Sequence, residues 1–145
     1  MSRFRKLSHS IWECKYHVVW CPKYRYRVME HKVRYYVRDV LREHCRRHKI
    51  EILEGNVQPD HIHMVLSIPP SYSGKVMGYL KGKSALQIFR KFVRLRKRYF
   101  GQHFWSRGYA VTTVGMDEEM IRKYVRWQQK KDREEDAASQ QTLDL

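Results

Sequence analysis

The chain has 145 residues, 42% of them hydrophobic, and 30 Lys plus Arg against 15 Asp plus Glu, a formal charge of +15 at pH 7. That length and apolar content suit one domain with a real core, and the charge favours nucleic acid as partner, with an anionic membrane surface as its rival. No stretch is apolar for long enough to cross a bilayer, and Met1-Ser2-Arg3-Phe4-Arg5-Lys6 lacks the apolar core of a signal peptide, so a cytoplasmic, nucleoid-associated protein is expected.

Ile11 to Trp20, rich in aromatic and β-branched residues and ended by Cys21-Pro22, predicts a strand. Glu30 to His48 carries an apolar stripe at Val33, Val37, Val40, Leu41 and His44-Cys45, the pattern of a helix. Ile50 to Val57 alternates weakly and predicts a second strand. Gln58-Pro59-Asp60 is a turn signal, since Pro presets φ and Asp can bond its own backbone. His61 to Ile68 then forms the other arm of a hairpin, stopped by Pro69-Pro70, with a loop over Ser71 to Gly74. Lys75 to Tyr99, rich in Lys and Arg without a single acid, predicts one long helix. Its buried stripe would be Leu80, Ala85, Ile88, Phe92, Leu95 and Tyr99, with Arg90 and Arg94 among the cations left to solvent or phosphate. Phe104 to Val114 predicts a strand with a bulge at Arg107-Gly108, ended by Gly115. Asp117, Glu118 and Glu119 suit the positive end of a final helix running through Tyr124 toward Lys131. From Asp132 to Leu145 the composition is polar and poor in aromatics, so a single domain over 1–131 and a frayed tail over 132–145 are expected.

The order βαββαβ plus one helix predicts an α+β fold, a ferredoxin-like or RRM-like antiparallel sheet with two helices on one face. The other face would be free for a site, partly covered by the extra C-terminal helix.

Cys14, Cys21 and Cys45 are odd in number and contain no Cys-x-x-Cys pair, which argues against disulfides and zinc fingers and for reduced, half-buried thiols. His61-Ile62-His63 is more informative. On a strand His61 and His63 share one face, while Ile62, Met64, Leu66 and Ile68 share the other. The imidazoles would lie roughly 7 Å apart, close enough to converge on one cation, although a His-x-His pair is equally at home on a solvated sheet face. Tyr124 and Gln128 lie four apart, hence on one helical face, where the amide oxygen could serve a hard cation beside a phenol. A phenol with pKa near 10 is a poor nucleophile unless a cation such as Mg²⁺ or Mn²⁺ stabilises charge on a phosphoryl group that it attacks. A core tyrosine and a solvated glutamine on an amphipathic helix remain the plainer reading of that pair.

Basic residues interleaved with aromatics form a second constellation, at Lys23-Tyr24-Arg25-Tyr26-Arg27, at Lys81-Gly82-Lys83-Ser84 and at Trp105-Ser106-Arg107-Gly108-Tyr109. Cations neutralise phosphates and aromatic faces stack on unpaired bases. Lys23, Arg25, Arg27, Lys81, Lys83, Arg90, Arg94 and Arg107 are thus candidate DNA contacts.

Pro59-Asp60-His61-Ile62-His63-Met64 resembles the His-hydrophobic-His (HUH) motif, and Ile121-Arg122-Lys123-Tyr124-Val125-Arg126-Trp127-Gln128 resembles the single-tyrosine motif of the same family. The segments Val19-Trp20-Cys21-Pro22-Lys23-Tyr24-Arg25, Tyr79-Leu80-Lys81-Gly82-Lys83-Ser84, Phe104-Trp105-Ser106-Arg107-Gly108-Tyr109 and Thr113-Val114-Gly115 match it in order. From about Ile11 to about Asp132 the chain resembles the single-tyrosine HUH transposases of the smallest bacterial and archaeal insertion sequences. The resemblance implies that His61, His63 and Gln128 are ligands of Mg²⁺ or Mn²⁺. It implies that Tyr124 cuts single-stranded DNA with a hairpin at the element end, leaving a 5′-phosphotyrosine and a free 3′-hydroxyl. It also implies a homodimer with joined sheets, in which the tyrosine helix can complete the partner's site. Two rivals stand beside this: a host-adopted relative acting on chromosomal palindromes, and a non-catalytic nucleic-acid-binding module on the same sheet. Asp60 is either a turn residue or a group that orients His61.

Overall fold

The computed structural model describes residues 5–7, 10–12, 15–68, 73–99, 103–113, 115 and 117–143. Arg5–Leu7 (β1) and Ser10–Trp12 (β2) pair as a separate antiparallel ribbon, which the sequence did not announce. Lys15–Trp20 (β3), Glu51–Gln58 (β4), His61–Ser67 (β5) and Ala110–Thr112 (β6) form the main sheet, in the order β4-β5-β3-β6 with every pairing antiparallel. The helices are His31–Arg47 (α1), Ser73–Lys91 (α2), Val93–Arg96 (α3) and Glu118–Leu143 (α4). This is the expected ferredoxin-like order, a four-stranded antiparallel sheet with an added C-terminal helix. The stop expected at Pro69-Pro70, together with Cys14 and Val114, falls outside the described residues.

Strand parity divides the chain between two clusters. Val18, Trp20, Ile62, Met64, Leu66 and Ile68 point into the main core, where residues of α1 such as Val37 and Leu41 and of α2 such as Leu80 and Ile88 meet them. Val19 points the other way and packs with Ile121 and Val125 of α4, joined by Ala110 and Tyr124. Burying Ile121 and Val125 on this patch stabilises the docked helix by roughly 1.5–3 kcal/mol apiece.

Helix α1 ends where Lys49 takes a left-handed φ of 56° and the Ile50 N–H reaches back to the Cys45 carbonyl at 2.9 Å. His44 joins α1 to α2, with Nδ1 3.0 Å from the Tyr79 hydroxyl and Nε2 against the Gln87 side-chain carbonyl.

Three expectations about the elements need correction. The long basic helix breaks at Phe92, whose ψ of 75° is not helical. Phe92 packs edge-on against Tyr36, and Tyr99 turns back among Tyr26, Phe89 and Phe104, so aromatic packing overrides helical continuity. The strand expected from Phe104 is ordered as β6 only over Ala110–Thr112. Before it, Trp105 and Ser106 are buried, Trp105 makes an isolated bridge to Pro22, and Lys81 binds the carbonyls of Ser106 and Gly108 that a neighbouring strand would otherwise take. Finally, the chain does not fray at Asp132. Helix α4 continues to Leu143, and Asp132 is 1% exposed.

Candidate active site

The strand β5 sets His61 and His63 on the face that α4 covers. His63 pairs with Val19 on β3 and with Asn56 on β4, and His61 pairs with Gln58. Both imidazoles line one cavity of about 670 Å³, together with Arg25, Arg27 and Asp60 and with Glu118, Ile121, Arg122, Val125 and Arg126 from α4. Four arginines against two acids make this cavity attractive to a polyanion.

The histidines differ in their surroundings. His61 Nδ1 lies 2.8 Å from Asp60 Oδ1. An ionised carboxylate can only accept, so Nδ1 is the donor and Nε2 is the nitrogen turned away from Asp60. The His61 hydrogen bond, with Arg25 and Arg27 nearby, holds the Asp60 carboxyl below its ordinary range. Asp60 thus closes the turn and also accepts a hydrogen bond from the His61 ring. Burial pushes His63 down, Glu54 opposes this, and His17 and His61 add to it, so the neutral ring is favoured. His63 Nε2 is buried and has no hydrogen-bond partner among the described residues. His17, missed in the sequence, stacks on it with ring centroids 6.0 Å apart.

Two imidazoles on one strand face suit a divalent cation, and the unpartnered His63 nitrogen is what such an ion would satisfy. Among the described residues no three His, Cys, Asp or Glu side chains converge, so the remaining protein donor would have to be of another kind.

Tyr124 and Gln128 do share one face of α4, where the Tyr124 hydroxyl donates to Gln128 Oε1 at 3.3 Å. Neither residue lines the histidine cavity; Tyr124 packs against the Val19–Ile121–Val125 cluster, whose Ile121 and Val125 do line it. Gln128 is 2% exposed, and its Nε2 donates to Asp132 Oδ1 at 3.2 Å. Asp132 Oδ2 accepts from Ser106 Oγ at 2.5 Å and from the Tyr24 N–H at 3.1 Å. Those bonds, with a Lys23–Asp136 ion pair of 2.9 Å, hold α4 on its own chain. They also support the strained turn after β3, where Tyr24 and Arg25 take left-handed φ values of 64° and 56°. Burial pushes the Tyr124 phenol up, with Cys21 and Asp132 adding to it, so in this position it is a poorer nucleophile than a free phenol. Burial likewise raises the Asp132 carboxyl, against the bonds from Ser106 and Gln128.

The candidate DNA contacts divide into two groups. Arg25 and Arg27 line the cavity, and Lys83, Arg90, Arg94 and Arg107 are available on the surface to varying degree. Lys23 and Lys81 have other tasks. Lys23 is ion-paired to Asp136 with its side chain 12% exposed, and the Lys81 amine donates to the carbonyls of Ser106 and Gly108 at 2.8 and 2.6 Å. Asp132 and Ser106 were missed. The available signal was the spacing of Asp132, four residues beyond Gln128 and eight beyond Tyr124.

No helix among the described residues is long and apolar enough to cross a membrane. The family described as "Transposase IS200 like" matches residues 10–128. The chain is 42% identical over 130 residues to the transposase for insertion sequence element IS200 of Salmonella typhimurium, covering 89% of this chain and 86% of that protein. It is 31% identical over 124 residues to the ISDra2 transposase TnpA of Deinococcus radiodurans, covering 84% of this chain and 89% of that one. A crystal structure described as a transposase from the same species superposes with a TM-score of 0.79 at 28% identity, over 86% of this chain and 97% of the other. Fold, site motifs and relatives agree, and the chain belongs to the IS200-like transposase family.

Proposed function

We propose that this transposase cuts and rejoins single-stranded DNA at insertion-sequence ends through a covalent bond to Tyr124. The observation that carries the reading is the placement of His61 and His63 in one arginine-lined cavity under the helix that bears Tyr124 and Gln128. The Tyr124 oxygen attacks the scissile phosphorus, a tyrosyl O–P bond forms and the P–O3′ bond breaks. The phenol proton is lost, and the departing oxygen becomes a 3′-hydroxyl. Rejoining is the reverse, with a 3′-hydroxyl attacking the phosphotyrosine, so ester energy is conserved and no external energy source is needed.

His61 and His63 would hold Mg²⁺ or Mn²⁺, with Gln128 as the other protein donor. When bound, the cation supplies Lewis-acid polarisation of a phosphoryl oxygen. Asp60 keeps the His61 nitrogen turned toward it, while Arg25, Arg27, Arg122 and Arg126 hold the DNA backbone. Because the docked Tyr124 lies outside the cavity, α4 must leave its place to react. Two copies that exchange α4 would satisfy this as well as one copy whose helix shifts, and a homodimer binding hairpin ends is the working assembly.

The test is a full-length preparation mixed with a single-stranded oligonucleotide carrying an element end and Mg²⁺ or Mn²⁺. A DNA–protein adduct that survives denaturation is expected, and Tyr124→Phe should abolish it while hairpin binding persists. An adduct of equal yield from the Phe variant would overturn the assignment.

A further inference from the structure

Tyr124, Gln128 and Asp132 stand one above another on α4, four residues apart, and are joined in series by hydrogen bonds of 3.3 and 3.2 Å. A glutamine amide has two ends of nearly equal shape and opposite chemistry, and something must decide which end faces which way. Asp132 is that arbiter. A carboxylate offers only acceptors, so it takes the Gln128 NH₂ and leaves the carbonyl oxygen turned toward the phenol. The carboxylate is itself held by the Ser106 hydroxyl and the Tyr24 N–H, and it is 1% exposed, so water does not compete for it.

We infer that Asp132 is a positioning residue of the strand-transfer site, setting the Gln128 amide so that its carbonyl oxygen is the atom presented beside Tyr124. The inference rests on the proposed function, in which that oxygen serves a divalent cation. All three side chains sit on one helix, so the Tyr124–Gln128–Asp132 series travels with α4 wherever the helix docks. The bonds to Ser106 and Tyr24, by contrast, belong to the present docking. The two roles of Asp132 are therefore separable by mutation.

Mn²⁺ binding is measured by electron paramagnetic resonance on the full chain, in the Tyr124→Phe background, bound to an uncut element-end oligonucleotide. Adduct formation is measured in parallel with Tyr124 intact. Asp132→Ala should weaken Mn²⁺ binding by about 10–100-fold, the usual consequence of losing a group that orients a ligand, and should shift the Mn²⁺ requirement of adduct formation equally. Asp136→Ala, which removes the ion pair to Lys23 and so loosens the docking but leaves the series on α4 whole, should keep the wild-type Mn²⁺ affinity. Wild-type affinity in Asp132→Ala, or an equal loss in Asp136→Ala, overturns the inference. If Asp132→Ala does not fold, Asp132→Asn carries the test: its amide can pair with Gln128 either way round, so weaker Mn²⁺ binding is expected and unchanged binding is the overturning result. A wild-type chain that makes no adduct with either cation removes the proposed function and this inference together. A wild-type adduct with an indifferent Asp132 removes the inference alone.

Discussion

Lys81 shows how far a single residue can depart from what its charge suggests. Its amine enters the protein to bind two carbonyls, and burial lowers it from 10.5 to about 8. The sign of the linkage follows. Between pH 8 and 10.5 the folded state holds fewer protons on this amine than the unfolded chain does, so stability rises with pH across that window, and below pH 8 the cost of burying the charge is present in full. Thermal melts of wild type and Lys81→Met should therefore diverge in favour of wild type as pH is raised from 8 toward 10. A gap that stays flat would place the amine in ordinary solvent. Cys21 and Cys45 are a simpler case. Both are fully buried where half-buried thiols were expected, and burial pushes each thiol up to about 12.

At the scale of elements, α4 gives the clearest lesson in what the sequence could disclose. His61 and His63 were legible because strand parity leaves two imidazoles no choice of face, and Tyr124 with Gln128 because residues four apart meet on a helix. The extent of α4 was not legible. Asp132 and Asp136 look like a solvated tail until Ser106, the Tyr24 N–H and Lys23 are folded against them from residues more than twenty positions away. The break at Phe92 was hidden for the same reason, since its aromatic partner lies on α1. The docking of α4 also makes a prediction. Lys23→Ala removes a largely buried ion pair together with the packing of the Lys23 side chain over the Tyr24 ring. Amide exchange along α4 should accelerate in that variant by up to several-fold while α1 and β5 are unaffected. Uniform acceleration over all three would mean that the ion pair supports the whole fold.

For the whole molecule the relevant quantity is the excess of fifteen positive charges. Much of the affinity for DNA should come from counterions released by Arg and Lys, so binding of a single strand should fall steeply with salt. Arg107 sits on the loop clamped by Lys81, exposed and without an ion-pair partner among the described residues. Arg107→Ala should weaken binding nearly uniformly across sequences and reduce the slope of log affinity against log salt by about one. A change of affinity with no change of slope would mean that Arg107 reads a base and not a phosphate. The overall architecture was legible from the order of periodicities alone, because βαββαβ closes in few ways. The separate β1–β2 ribbon was not, since its two strands are only three residues each and carry no alternation long enough to read.

Gly115 lies between the last strand and α4 with a φ of +100°, and a β-carbon built there would stand 3.6 Å from the His17 ring. That ring leans on His63. A methyl group at 115 would thus meet backbone strain, while its contact with the imidazole would be ordinary van der Waals contact. The backbone leading into α4 is thereby set by a residue without a side chain, and the strain of a left-handed φ, not crowding against the imidazole, is what favours glycine there.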